Sequence, residues 1–301
     1  MTTTQIKINK YVLLEKIGEG AFGRVLKGLH EKTGQEVAVK MEKKTSPYKL
    51  LAHETTILNL LYSKHCRSIP PVYWFGEHDD CIVLIMPCYR MTLYQYIHQH
   101  LFVKQSPIVS CMKVFKSMVQ IVHSIHSKYV VHCDIKPHNF MLKDSELVLI
   151  DFGFAGFYLD ATGKHKQENC VKTNLMGSLP YISYFTHCGY EITRRDDLIS
   201  VFYILIYMLY GELIWDNIRN IFVYDVSENS EITKNKTHID NPYNQQVKMF
   251  KQLDNVQTYL EYATPLCGDK TVASQLINYA KYLYSLSFME APNYDFLLSD
   301  I

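Results

Sequence analysis

The stretch whose reading decides the fold is His132-Cys133-Asp134-Ile135-Lys136-Pro137-His138-Asn139, followed by Asp151-Phe152-Gly153 on the far side of the strand-like run Leu147 to Ile150. Two short motifs of this specificity, in this order, do not arise from composition alone, so the rest of the chain is read outward from them.

Upstream, residues 11 to 41 and 72 to 86 carry the short apolar alternations of strands: Tyr11 to Ile17, Arg24 to Leu29, Glu36 to Met41, Val72 to Phe75 and Cys81 to Met86, with turn residues between. This pattern predicts an antiparallel meander. One helix interrupts it. It is expected to open at Ser46-Pro47, an N-cap followed by the Pro favoured at the first helical position, and it carries Leu50, Leu51, Ile57, Leu58 and Leu61. Beyond residue 92 the spacing turns helical: Cys111 to Lys128, Leu198 to Tyr210 and Ala273 to Leu286. The fold class is therefore α+β, a small strand-rich lobe with one main helix preceding a larger, mostly helical lobe.

Composition narrows the function classes. The 301 residues are 48% hydrophobic and 20% charged, an ordinary globular balance that excludes disorder for most of the chain. Thirty-one Lys plus Arg against 30 Asp plus Glu leave a formal charge of +1, so no bulk field draws nucleic acid or an anionic membrane. Neither partner is expected, and the chain reads as a monomer. The eight cysteines form no C-x-x-C pair, which points to a reduced, intracellular setting, cytoplasmic or nuclear. The N-terminus lacks the architecture of a signal peptide. The longest near-continuous apolar run, Leu198 to Tyr210, is 13 residues and short for a membrane span.

Gly18-Glu19-Gly20-Ala21-Phe22-Gly23-Arg24-Val25 spells G-x-G-x-x-G-x-V between two strands. Glycines there let backbone N–H groups approach phosphate closely. A strand rather than a helix follows, which disfavours a dinucleotide-binding Rossmann unit. In Val37-Ala38-Val39-Lys40, alternation puts Val37, Val39 and Met41 on one face and Lys40 with Ala38 on the other. Glu54 lies in the middle of the helix's apolar stripe, four residues from both Leu50 and Leu58. A carboxylate on a buried face needs a partner, and Lys40 is the natural one.

With these residues in place, the chain resembles a eukaryotic-type protein kinase: the opening motifs match the catalytic loop H-R-D-x-K-x-x-N and the metal-binding D-F-G. The resemblance implies a two-lobed fold with ATP between the lobes. It also implies roles in phosphoryl transfer, where an enzyme chiefly positions groups and neutralises charge. Asp134 would orient the substrate hydroxyl and take its proton; Lys136, in the Ser/Thr-kinase position, would contact the γ-phosphate. Asn139 and Asp151 would hold Mg²⁺, with Mn²⁺ a possible substitute, because hard cations take oxygen ligands. Lys40, held by Glu54, would bind the α- and β-phosphates beneath the loop from Gly18 to Val25. Adenine would lie between Ile17, Val25 and Ala38 on one side and Met141 on the other. The connector Met86-Pro87-Cys88-Tyr89 would offer its backbone to the adenine edge, with Met86 at the back.

The second half resembles the casein kinase 1 family. Asn174 to Ser183 stands where most kinases carry A-P-E, and no A-P-E occurs; Thr186-His187, Arg194-Arg195-Asp196-Asp197 and Gly211-Glu212-Leu213-Ile214-Trp215 follow. The likeness implies that Asp197 anchors the catalytic loop and that the Ser178 hydroxyl helps bind Asp134 and Lys136. Vaccinia-related and tau-tubulin kinases are the neighbouring alternatives, and a pseudokinase scaffold is a third. A scaffold has no physical need for the full set Lys40, Glu54, Asp134, Lys136, Asn139 and Asp151.

Departures from the family carry their own expectations. Cys133 replaces the catalytic-loop arginine, removing the guanidinium that captures a phosphorylated activation segment. The family's anion-binding positions fall on Cys133, Gly156, Thr173 and Pro180, none of them cationic, with Lys164, Lys166 and Lys172 nearby in sequence. Weakened recognition of phosphate-primed substrates is expected. The kinase domain is placed at residues 11–295, with a lobe boundary between about 87 and 90 and short terminal segments at 1–10 and 296–301. His123 and His126 are read as helix-surface residues rather than zinc ligands, Lys164-His165-Lys166 as a solvated loop, Tyr279, Tyr282 and Tyr284 as helix packing, and Cys133 as a buried spectator.

Overall fold

Strand alternation builds the first core. In the computed structural model, which describes residues 6–20, 23–104, 107–170, 174–216 and 238–299, strand β4 (Glu36–Lys43) buries Val37, Val39 and Met41 on one face. They pack with Ile8, Tyr11, Cys81, Val83 and Ile85. The sheet is antiparallel, ordered β1 (Lys7–Ile8), β2 (Tyr11–Gly20), β3 (Gly23–His30), β4, β6 (Cys81–Pro87), β5 (Trp74–His78). Register places Lys40 opposite Val25 on one side and Leu84 on the other. The expected antiparallel strands are present, but not as a simple meander: β6 inserts between β4 and β5, which leaves β5 at the edge. In addition a short edge strand, β1, precedes them, and the strand expected at Val72 to Phe75 begins at Trp74.

Helix α1 (Leu50–Ser63) buries Leu51, Glu54, Ile57, Leu58 and Leu61, but it does not open at Ser46-Pro47. Lys49 is the N-cap residue and its side chain caps nothing. Glu42 from β4 does this work instead: its buried carboxylate accepts hydrogen bonds from Leu50 N at 3.2 Å, Leu51 N at 3.0 Å and the Ser46 hydroxyl at 2.8 Å. An acidic group among the first amides of a helix satisfies orphan donors and complements the dipole. Ser46 was the wrong cap because its hydroxyl is itself a donor to Glu42.

Contacts divide the chain into two compact units. The first runs to Thr92 and takes in Phe140–Ala155; the second comprises Leu93–Asn139 and the described residues from Gly156 onward. This is not a single cut near residue 87. The hairpin β9 (Phe140–Lys143) and β10 (Glu146–Leu149) pairs with β7 (Met91–Thr92), and the 3₁₀ turn Phe152–Phe154 packs on α1, so both join the first unit.

The second unit is helical apart from the small pairing of β8 (Val130–Val131) with β11 (Gly156–Phe157). A run from α2 (Leu93–Tyr96) through a π-helical turn (Ile97–Leu101) into α3 (Phe102–Lys104) leads to α4 (Ile108–His126). Helix α4 is the one described helix long and apolar enough to cross a membrane by length and composition, yet it buries Met112, Phe115, Met118, Val119, Val122 and Ile125 against protein. The single-turn α5 (Tyr184–His187) precedes α6 (Arg194–Tyr210), which is buried at every position after Arg194, as a helix apolar all round must be. Around it lie α7 (Pro242–Phe250), α8 (Leu253–Tyr262), α9 (Val272–Ser285) and α10 (Tyr294–Leu298).

Two histidines expected together on a surface separate. His123 is exposed, whereas His126 is buried and takes Asp197 and Tyr294 as partners. Position along α4 explains the difference: His126 continues the buried stripe of Val119, Val122 and Ile125. Tyr279 is fully buried in the second unit's core, and Cys133 is buried. His165 is half-buried against the rings of Tyr158 and Phe288, while Lys164 and Lys166 are exposed.

Candidate active site

In the first unit, strand pairing and helix stripe converge on one cation. Lys40 Nζ donates to both Glu54 oxygens, at 2.8 and 3.0 Å, and to Asp151 Oδ1 at 3.0 Å. Glu54 is buried, while the Asp151 side chain is 42% exposed and so can meet a ligand. Burial alone pulls the Lys40 ammonium toward neutrality, but the Glu54 and Asp151 carboxylates outweigh it and hold its pKa above the ordinary lysine value. Burial pushes the Glu54 carboxyl up, against the pull of the Lys40 ammonium. Asp151 sits in left-handed backbone at φ 70°, costly for a non-glycine residue and typical of functional sites.

The glycine-rich hairpin joins β2 to β3 with Gly20 opposite Gly23, Glu19 opposite Arg24 and Gly18 opposite Val25. A Cβ on Gly23 would fall 2.2 Å from Met41 O, so no larger residue fits there. Ala21 and Phe22 lie outside the described residues. Of the expected adenine-contacting residues, Ala38 pairs with Met86 across β4 and β6, Met86 is buried, Val25, Pro87, Tyr89 and Met141 are half-buried, and Ile17 is 48% exposed.

In the second unit the catalytic-loop side chains close a small network. Lys136 Nζ donates to Asp134 Oδ2 at 2.7 Å and to Ser178 Oγ at 2.9 Å; Ser178 Oγ donates to Asp134 Oδ1 at 2.8 Å. Asn139 Nδ2 donates to the Asp134 backbone oxygen at 2.8 Å and to its Oδ2 at 3.1 Å. Asp134 is 4% exposed, and an ammonium, a hydroxyl and an amide hold its carboxylate in one orientation. Gly177, at φ 93°, lets Ser178 reach it: a Cβ there would meet Cys133 O at 2.7 Å.

Asp197 supports this network from α6. Its Oδ2 accepts from His132 N at 2.7 Å and from His126 Nε2 at 3.0 Å, and its Oδ1 accepts from Cys133 N at 3.0 Å. Cys133 is held at φ 67°, one residue before Asp134. Three donors on a buried carboxylate offset the cost of that conformation.

The sequence matches the protein kinase domain family over residues 11–281. The chain belongs to that family. This protein kinase carries the family's antiparallel first lobe and helical second part, and membership implies ATP, a divalent cation and protein substrates. Among the described residues no three His, Cys, Asp or Glu side chains converge as a ready-made metal cage. Hard cations take oxygen ligands, and in the first unit the Asp151 carboxylate, 42% exposed, is an accessible oxygen donor.

Of the four positions where the resemblance places anion binding, Cys133 is buried, Gly156 lies in β11, the Pro180 carbonyl accepts from Trp215 Nε1 at 2.9 Å, and Thr173, like Lys172, lies outside the described residues. Sequence reasoning missed Glu42, His126 and Lys251. Glu42 follows Lys40 on the same face of the strand and His126 continues the buried stripe of α4, signals that were available; nothing local marks Lys251.

Proposed function

We propose that this protein kinase transfers the γ-phosphate of Mg-ATP to serine and threonine hydroxyls, on the casein kinase 1 pattern. The observation that carries the reading is the closed triangle of Asp134, Lys136 and Ser178, all within 2.9 Å. Lysine two residues after the aspartate is the Ser/Thr-kinase placement, and here its ammonium already bridges the base and the activation-segment hydroxyl.

Asp134 takes the hydroxyl proton as the acceptor oxygen attacks. Its orientation is set beforehand by Ser178 and Asn139, so little reorganisation is needed. Lys136 neutralises charge that develops on the transferred phosphoryl group. Lys40, fixed by Glu54, would bind the α- and β-phosphates, and Asp151 and Asn139 are the residues assigned to the divalent cation. That cation, when bound, screens the phosphate charges and orients the leaving group. The residues assigned to adenine are Ile17, Val25, Ala38, Met86, Pro87, Tyr89 and Met141.

Activity is read as not switched by activation-segment phosphorylation. Cys133 provides no guanidinium, and its backbone N–H is committed to Asp197. Primed or acidic substrates are read as weakly favoured.

Transfer of labelled γ-phosphate from Mg-ATP to a peptide array, followed by phosphoamino-acid analysis, tests the reading. Phosphoserine or phosphothreonine is expected with wild type and background with Asp134→Asn and Lys40→Met. Phosphotyrosine as the main product, or undiminished Asp134→Asn activity, would overturn it. A strong preference for primed over unprimed versions of one peptide would remove the substrate claim.

A further inference from the structure

Lys251, the residue closing α7, is fully buried. Its ammonium donates to Leu179 O at 2.9 Å and Ile182 O at 2.6 Å and lies 3.2 Å from His187 Nε2. It also sits over the Trp215 ring, 4.5 Å from the centroid, and 5.2 Å from that of Tyr203. Among the described residues no carboxylate is within ion-pair distance, and two carbonyl dipoles, an imidazole nitrogen and two π faces surround the group instead.

The carbonyls it takes belong to one turn. Tyr181 N and Ile182 N both donate to Ser178 O, at 2.8 and 3.1 Å, and Trp215 Nε1 donates to Pro180 O at 2.9 Å. The carbonyls of residues 178, 179, 180 and 182 are therefore all engaged, two of them by one buried cation. Ser178 itself is the residue whose hydroxyl touches both Asp134 and Lys136. A side chain required only to fill this space could be apolar, and burying an ammonium instead is costly. The ammonium supplies what an apolar group cannot, directed donors that fix the chain just after Ser178.

We infer that Lys251 is a positioning residue for phosphoryl transfer: it pins the turn Leu179–Ile182 and acts through Ser178 to keep Asp134 and Lys136 in their working geometry. This rests on the kinase reading above. Trp215, donating to the same turn, is its secondary support.

A double-mutant cycle on the full chain tests it, with peptide and Mg-ATP as substrates. Lys251→Met should lower kcat by about tenfold, which is ~1.4 kcal/mol, with the ATP KM unchanged. In a Ser178→Ala background the same substitution should change kcat by less than about twofold, because the residue acts through the missing hydroxyl. A full, additive loss in that background, or no loss in the single variant, overturns the inference. Amide exchange supplies a readout independent of catalysis: Tyr181 and Ile182 should exchange faster in Lys251→Met while α6 is unaffected, and unchanged protection there also overturns it. Wild type that transfers no phosphate would sink the kinase reading instead, leaving the exchange result to score the pinning. Should Lys251→Met not fold, Trp215→Phe removes the Pro180 bond and keeps the ring; its kcat should fall in the same direction, and the fall should vanish beside Ser178→Ala.

Discussion

His126 Nε2 lies 3.0 Å from Asp197 Oδ2 while its Nδ1 lies 2.7 Å from the Tyr294 hydroxyl. An imidazole between a carboxylate and a phenol is best satisfied neutral, with Nε2–H donating to Asp197 and Nδ1 accepting from Tyr294. Burial favours that same form, holding the His126 pKa below the ordinary imidazole value despite the nearby carboxylate. The carboxylate that fixes the Cys133 backbone is thus itself fixed by a ring from α4 and, through it, by α10.

Asp197→Asn tests that support. The amide keeps the shape but replaces one acceptor oxygen by a donor, so one of the His132, Cys133 or His126 N–H groups loses its partner. An unsatisfied buried donor costs ~1–3 kcal/mol. The melting temperature should fall and kcat should fall with it; a variant with wild-type melting and turnover would show that Asp197 does not hold the loop.

Glu42→Ala removes the cap of α1. The Leu50 and Leu51 amides lose their acceptor, a loss of about 0.5–2 kcal/mol by analogy with N-cap deletions. Because Glu54 rides on α1 and Lys40 on the same strand as Glu42, nucleotide binding should weaken as well. Calorimetry with a non-hydrolysable ATP analogue reads this directly, and unchanged affinity with unchanged stability would contradict it.

The Ser178 hydroxyl separates cleanly from its carbon skeleton. Ser178→Ala should lower kcat by about tenfold with little change in the ATP KM, since one hydrogen bond to a charged group is removed from the network. Ser178→Thr, which keeps the hydroxyl, should restore most of the rate. Equal rates for all three in steady-state assays would remove Ser178 from the machinery.

Acidification should destabilise the fold through two imidazoles. Burial holds the pKa of His126 below, and that of His187 well below, the ordinary value of 6.5; at His187 the neighbouring Lys251 ammonium adds to the effect. Between the folded and unfolded values the unfolded chain binds more protons, so the stabilisation is present above 6.5 and is lost as the pH falls below it. Each group contributes a slope of up to ~1.36 kcal/mol per pH unit. Melting temperatures measured from about pH 7 down to about pH 5 should decline, and His187→Gln should flatten the decline. An identical slope in that variant would assign the acid sensitivity elsewhere.

The Lys40 and Glu54 pair was legible because each residue occupies a position whose periodicity announces burial, and two opposite charges on buried faces have few other places to go. The second network was legible only through motif likeness, since no local pattern links Ser178 to Asp134 across 44 residues. Glu42 was overlooked because Ser46-Pro47 offers the usual cap signature, and only the fold shows Ser46 donating rather than capping. His126 and Lys251 depend on partners 71 and 72 residues away and on burial of polar atoms that composition cannot foretell. The placement of Phe140–Ala155 with the first unit was hidden for the same reason: its partners, β7 and α1, are set by tertiary packing.

The link from Tyr294 through His126 to Asp197 ties the catalytic loop to a remote helix. Two segments 168 residues apart in the chain meet at one ring, so a disturbance of α10 reaches the Cys133 backbone through a chain of hydrogen bonds without touching any side chain of the catalytic loop.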